Sequence, residues 1–388
     1  MKKEIALVDC NNFFVSCEQL LKPDLKGKPV CVLSNNDGCI IARSNEAKKL
    51  GITMAMPHFI AKRQFPDAVY LSSNMGFYHD ISIRVRQKLF EYSPIVEVYS
   101  IDEAFLDLTG VDKVFGLDYE QLVSKIKIDI INEIGIPVSV GLATSKVLAK
   151  LATEKAKKGD GVLRITEENR FSMLKNLQLE DIWGVGRGTA NILKRFGIFS
   201  ALEILNYDDD FYKRILGKRG LELKNELMGN SVLKLEDTVQ LPKSIQRTSS
   251  FPKFSNDKMY IKETLFHHLH SVCSKLRHYN LGAKSVVVML RTKDFRLQML
   301  SVDLEVAIND EYLLNKKVDE LLDKLFETAV IYRSSGVFAE NLSGLQCTQL
   351  KLNSELELEK AQRISKVWDK IEGKYGKKVF SIGKLPKK

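Results

Sequence analysis

The chain has 388 residues, more than one hydrophobic core ordinarily serves, which predicts several domains of roughly 100 residues each. Hydrophobic residues make up 44% and charged residues 28%, the composition of a soluble globular protein rather than a disordered one. A formal net charge of +10 suits a polyanionic partner, most simply nucleic acid, and no apolar run approaches the length of a bilayer span, which argues against a membrane partner.

Lys2 and Lys3 precede only a short apolar stretch ending in Asp9, so residues 5–9 read as a buried strand rather than a signal peptide. The scattered cysteines (Cys10, Cys17, Cys31, Cys39, Cys273, Cys347) form no Cys-x-x-Cys pair and read as reduced thiols of a cytoplasmic protein. Asn11 and Asn12 offer a helix cap before Phe13, Cys17, Leu20 and Leu21 at helical spacing, and Pro23 and Gly27 end that helix. Residues 30–33 and 39–42 read as strands around Asn35-Asn-Asp-Gly38, a hairpin signal. Helices are predicted over 44–50 and 77–91. Strands over 95–100 and 104–108 flank an Ile101-Asp102-Glu103 corner, followed by a helix near 119–133, a strand over 138–142, a lysine-rich helix over 145–157 and a strand over 161–165. This order predicts a ferredoxin-like sheet with helices on one face and a small inserted subdomain.

Residues 170–235 read as all-helical, and 236–243, with Pro242, as a linker. Beyond it, a strand over 244–251, a helix over 257–279, strands over 284–292 and 296–305, a helix over 311–328 and a strand near 331–339 make a second βαββαβ unit. A polar, lysine-rich tail with one amphipathic helix near 355–373 closes the chain.

Asp9 ends one strand, and Asp102-Glu103 sit at a corner between two others. If those strands are neighbours, three carboxylates converge on one rim, an all-oxygen set suited to a hard divalent cation. Taken alone, Asp102-Glu103 read better as solvated corner residues. The surrounding segments decide between these. Asp9-Cys-Asn-Asn-Phe-Phe14 with Ser16-Cys-Glu18, Ile41-Ala-Arg-Ser44, Tyr99-Ser-Ile-Asp-Glu-Ala-Phe-Leu-Asp107, and Val140-Gly-Leu-Ala-Thr-Ser-Lys146 with Leu148-Ala-Lys150 resemble, in order and spacing, the signature segments of Y-family DNA polymerases. Asn35-Asn-Asp-Gly-Cys39 resembles the UmuC branch.

The resemblance implies an α+β multidomain fold, a right hand with a ferredoxin-like palm (1–23 and 78–168), small fingers (24–77), a helical helix-hairpin-helix thumb (169–236), a linker (237–243), a βαββαβ little finger (244–345) and a tail (346–388). It implies an error-prone translesion DNA polymerase that adds dNTPs to a primer 3′-hydroxyl by two-metal phosphoryl transfer, within the SOS response to DNA damage. On the same basis Asp9, Asp102 and Glu103 are catalytic and hold two Mg²⁺ ions, with Mn²⁺ as an alternative, and the Cys10 backbone carbonyl is a further ligand. Phe14 falls at the steric gate against a ribose 2′-hydroxyl; helical geometry lets only one of Phe13 and Phe14 face the core squarely. Asn12 and Phe13 offer backbone N–H groups to phosphates, and Ser44, Asn45, Lys48 and Lys157 complete the nucleotide site. Asn45 and Lys48 stand where many relatives carry tyrosine and arginine, which removes a bidentate fork.

For DNA, Leu179-Glu-Asp-Ile-Trp-Gly-Val-Gly186 looks like a helix-hairpin-helix, setting Trp183, Gly184, Val185, Gly186 and Arg187 against a phosphate backbone. Arg247, Lys253, Arg291, Lys293, Arg296 and Arg333 lie on or beside strands of the last domain, where they would track phosphates. His267, His270 and Cys273 share a helix face at three-residue spacing, but zinc sites on one helix are rare, and an amphipathic helix is the better reading. Thr348-Gln-Leu-Lys-Leu-Asn353 sits where UmuC relatives carry a sliding-clamp peptide. Gln349, Leu350 and Leu352 are its candidates, and Asn353 replaces the aromatic anchor. The resemblance further implies a cleaved UmuD-like protein and a recombinase filament as partners, with the segment around Trp368 a place for one of them. Two rivals remain: a non-catalytic DNA-binding scaffold, against which the intact carboxylates argue, and a nucleotide cyclase, which has no use for the helix-hairpin-helix.

Overall fold

The first apolar run forms β1 (Ile5–Cys10), every residue of which is buried, as a strand covered on both faces must be. The computed structural model describes residues 2–34, 36–236, 241–344, 363, 365, 367–371 and 374, in two units, Met1–Val239 and Gln240–Lys388. After β1, α1 (Phe13–Leu21) leads into β2 (Val30–Leu33), β3 (Ile40–Arg43), α2 (Asn45–Lys49), α3 (His58–Gln64) and β4 (Val69–Ser72). These strands make a small sheet in the order β3-β2-β4. Strand alternation divides β2 between two cores: Val30 and Val32 join the main one, while Cys31 and Leu33 pack with Ile40, Ala47 and Ile52.

Next come α4 (Met75–Phe90), β5 (Val96–Val98), β6 (Glu103–Asp107), α5 (Val111–Phe115), α6 (Tyr119–Ile134), β7 (Val138–Ala143), α7 (Lys146–Ala156) and β8 (Val162–Arg164). Asp118 and Gln121 close a capping box on α6, and Ser145 caps α7. The main sheet runs β5-β6-β1-β7-β8. One expectation is corrected here, because helices cover both faces. Ala6, Val8, Ala104 and Leu106 pack with Ile81 and Val85 of α4 and Leu122 and Ile126 of α6. Ile5, Leu7 and Phe105 pack with Val147, Leu148 and Leu151 of α7. The helical remainder, α8 (Glu167–Leu174), α9 (Arg187–Arg195), α10 (Asp209–Leu216) and α11 (Lys218–Met228), adds Leu174, Leu193, Tyr212 and Leu227 to that second core.

In the second unit β9 (Ile245–Ser255), α12 (Lys258–His278), β10 (Leu281–Thr292), β11 (Leu297–Ile308), α13 (Glu311–Leu325) and β12 (Tyr332–Gly344) form the expected βαββαβ order. Its antiparallel sheet runs β11-β10-β12-β9, and its core includes Leu265 and Leu269 of α12 and Leu314 and Leu322 of α13. Cys273 is fully buried there, and His270 Nδ1 lies 2.7 Å from Glu311 Oε1, so both serve the interior of the unit. Cys10, Cys17, Cys31, Cys39 and Cys273 are free thiols. No helix among the described residues is long and apolar enough to cross a membrane.

Candidate active site

Antiparallel pairing sets Asp9 directly opposite Glu103 on β6, with Ser139 of β7 on its other side. Directly paired residues share a face, so both carboxylates point to the side that carries α7. Along that helix Lys150, Glu154 and the C-capping Lys157 recur at helical spacing and meet them. Lys157 Nζ lies 2.7 Å from Asp9 Oδ2 and 2.8 Å from Glu154. Lys150 pairs with Glu103 and lies 3.7 Å from Asp9 and 3.4 Å from Glu154. Helix α7 comes this close because Gly141 of β7 has no Cβ: one built there would lie 2.2 Å from Thr153 N. The Thr153 hydroxyl meanwhile reaches the Leu7 carbonyl at 3.1 Å.

Asp9 is 5% exposed. Burial, with the neighbouring Glu103 adding to it, raises its carboxyl to about 6 against the attraction of Lys157. Burial opposes charge on Lys150 and Lys157 as well, but the carboxylates outweigh it and hold both lysines above their ordinary values. One oxygen each from Asp9, Glu103 and Glu154 fall within 4.8 Å of one another. That all-oxygen donor set fits a hard divalent cation.

Asp102 stands beside this group rather than in it. Its carboxylate accepts from the Ser100 hydroxyl, and its carbonyl accepts from Cys10 N–H at 2.9 Å. Glu154 and Lys150 were not singled out as site residues; the signal that finds them is the Lys150-Glu154-Lys157 spacing on a helix opposite the carboxylates.

Phe13 is buried, while Phe14 is half-buried and stacks on Tyr78 with centroids 4.7 Å apart and planes at 18°, the division that helical geometry predicts. Asn12 adopts a left-handed conformation, φ 48°, and its side chain makes no cap bond. It turns instead to α2, donating to Asn45 Oδ1 at 3.1 Å and accepting from Lys48 Nζ at 2.6 Å. Burial lowers Lys48, with the charges of Arg43 and Lys157 adding to the effect. Asn12, Asn45, Lys48 and Lys157 therefore converge. Ser44 does not join them through its hydroxyl, which caps α2 and bonds the Lys28 carbonyl and Val30 N–H while 2% exposed.

Trp183 Nε1 donates to the Tyr99 hydroxyl at 3.0 Å. Val185 is buried, Gly184 takes φ 89°, and Gly186 precedes exposed Arg187 at the start of α9 without a side-chain cap. In the second unit the six basic residues do not form one stripe. Arg291 pairs with Leu297 and Ser334 on the open face of the sheet, whereas Arg247 pairs with core residue Val337 and so points to the helical side of an edge strand. Arg296 bonds Glu327 at 2.9 Å, and the Arg333 guanidinium lies 3.8 Å from the Phe295 ring and 5.5 Å from that of Phe254. Lys253 and Lys293 are exposed. Gln349, Leu350 and Leu352 lie outside the described residues.

A family model described as the impB/mucB/samB family matches residues 8–154, and that family's C-terminal domain matches residues 242–352. The chain belongs to the impB/mucB/samB family of Y-family DNA polymerases. This Y-family chain is 33% identical to Protein UmuC of Salmonella typhimurium over 96% of its own length and 91% of that protein. It is 30% identical to DNA polymerase IV of Treponema denticola, covering 98% of this chain and 96% of that one. A Y-family DNA polymerase chimera of Dbh and Dpo4 superposes with a TM-score of 0.75 at 29% identity, covering 88% of this chain and 99% of that one. The α+β multidomain architecture is thus that of the Y family, and the matched segment 8–154 contains Asp9, Asp102, Glu103, Lys150 and Glu154.

Proposed function

We propose that the chain is an error-prone translesion DNA polymerase, extending a primer opposite damaged template, with palm 1–23 and 78–168, fingers 24–77, thumb 169–236 and little finger 244–345. The observation that carries this reading is the Asp9–Glu103 pair on adjacent strands, faced by Lys150, Glu154 and Lys157 of α7. Asp9 and Glu103, with Glu154 or Asp102, would hold Mg²⁺ or Mn²⁺. Two such ions supply activation of the primer hydroxyl and neutralisation of the leaving pyrophosphate.

The remaining work falls to side chains. Lys157 exchanges Asp9 for a phosphate oxygen, and Lys48 exchanges Asn12 for another, so the triphosphate is held by two point charges. Phe14 closes the sugar subsite to a 2′-hydroxyl, and the Trp183–Gly186 turn offers its backbone to the duplex. Service in the DNA-damage response, with a cleaved UmuD-like protein, a recombinase filament and a sliding clamp as partners, belongs to the same proposal and rests on the sequence resemblance.

The test is primer extension by the purified chain with Mg²⁺ and four dNTPs on intact and abasic templates, beside Glu103→Gln. Extension by the wild type alone is expected. Duplex binding without extension, even with the accessory proteins present, would favour the non-catalytic scaffold. In the same assay Lys48→Ala should raise KM for dNTP about tenfold, with kcat less affected, since a lost ground-state contact appears in KM. An unchanged KM would remove Lys48 from the nucleotide site.

A further inference from the structure

Glu18 is a buried carboxylate that none of the chemistry above uses. It is 7% exposed and has no ion-pair partner among the described residues, and its side chain accepts one hydrogen bond, from the Tyr78 hydroxyl at 2.6 Å. Burying a carboxylate against a single neutral donor is costly, and a polar pair kept inside an apolar core is where a functional constraint is expected. Glu18 follows Phe14 by one turn of α1, so both lie on the same face of that helix. Tyr78, fully buried on α4, meets both: its ring stacks under Phe14 and its hydroxyl reaches Glu18. Burial, with the carboxylate adding to it, pushes the phenol well above its ordinary value, so it stays a donor. The ring beneath Phe14 is thereby tied at its far end to Glu18.

We propose that the Glu18–Tyr78 hydrogen bond is a positioning device for Phe14, fixing the plane of that ring and hence the depth of the sugar subsite. This rests on the reading of Phe14 as the gate against a 2′-hydroxyl. With the pin removed, Phe14 gains room to tilt by the order of 30°, a rearrangement worth about fivefold to tenfold in population.

The experiment is single-nucleotide insertion on an undamaged template, comparing kcat/KM for a ribonucleoside and the matching deoxyribonucleoside triphosphate. Phe14→Ala, the control for the gate, should raise the ribo-to-deoxyribo ratio about a hundredfold. Tyr78→Phe should raise it about fivefold to tenfold through a lower KM for the ribonucleotide. In the Phe14→Ala background Tyr78→Phe should add nothing, because the two act through one ring. Tyr78→Phe leaves Glu18 without its donor, so Glu18→Met with Tyr78→Phe is tested beside it. That pair removes both polar groups at similar volume, a replacement that preserves folding, and should show the same relaxed ratio. If Phe14→Ala relaxes sugar selection while both Tyr78 variants keep the wild-type ratio, the positioning role is overturned and the gate stands. If Phe14→Ala itself leaves the ratio unchanged, the gate reading falls and takes this inference with it.

Discussion

Asp9→Asn is expected to cut primer extension about a thousandfold while raising the melting temperature at pH 8 by several degrees. Both effects come from one buried charge. The folded carboxyl is raised from 3.8 to about 6, with burial the largest cause, so folding disfavours its ionised form. The penalty is absent below pH 4, grows between pH 4 and 6 as the unfolded chain ionises and the folded one resists, and is complete above pH 6. For a shift of this size it amounts to about 3 kcal/mol. Asparagine keeps the volume and still accepts from Lys157, without the charge. Melting curves at pH 4, 6 and 8 should therefore show the variant level with the wild type at pH 4 and ahead of it at pH 8. Mg²⁺ should stabilise the wild type at pH 8 and leave the variant unmoved, since a ligand stabilises only the fold that binds it. A variant less stable than the wild type at pH 8 would mean that Lys150 and Lys157 depend on the Asp9 charge more than burial penalises it.

That carboxylate was legible in the sequence because a continuous apolar run ending in an acid has few readings other than a central strand meeting its rim. The Asp102-Glu103 corner, alone better read as a solvated turn, stood out only through its resemblance to a Y-family segment. The βαββαβ order of the second unit was legible because each helix keeps its apolar stripe. Glu154 and Lys150 were not. Nothing local tells a lysine-rich helix which of its faces will lie on β1; that depends on Gly141, whose missing side chain matters only once α7 is packed over it. The same ignorance of register hid the separation of Arg247 from Arg291, since strand parity assigns faces only after the pairing with β12 is known. β4 escaped notice because none of its four residues is fully buried, Ser72 being exposed, and they take their place by parallel pairing with β2, a long-range contact without a turn signal. The expectation of helices on one face failed at β1 itself: a strand buried at every position needs cover on both sides.

Gly141→Ala is the substitution expected to cost the first unit most. A Cβ there would stand 2.2 Å from Thr153 N and 2.5 Å from the Ala149 carbonyl. Both are backbone atoms of α7, so no rotamer change relieves the clash, and the helix must move away from the sheet. Overpacking of this kind costs about 3 kcal/mol or more, against near-neutrality for Gly188→Ala, a helical position with open space around it. The displacement has a chemical consequence too. Lys150, Glu154 and Lys157 travel with α7 while Asp9 and Glu103 stay on their strands, and a misplacement of about 1 Å in such a group costs on the order of a hundredfold in rate. Urea unfolding should therefore show a lowered midpoint for Gly141→Ala alone. Primer extension should fall further than the folded fraction at assay temperature explains. Equal midpoints for Gly141→Ala and the wild type would mean that α7 does not lie flush on β7. The lysine–carboxylate geometry would then have to be held by some other contact.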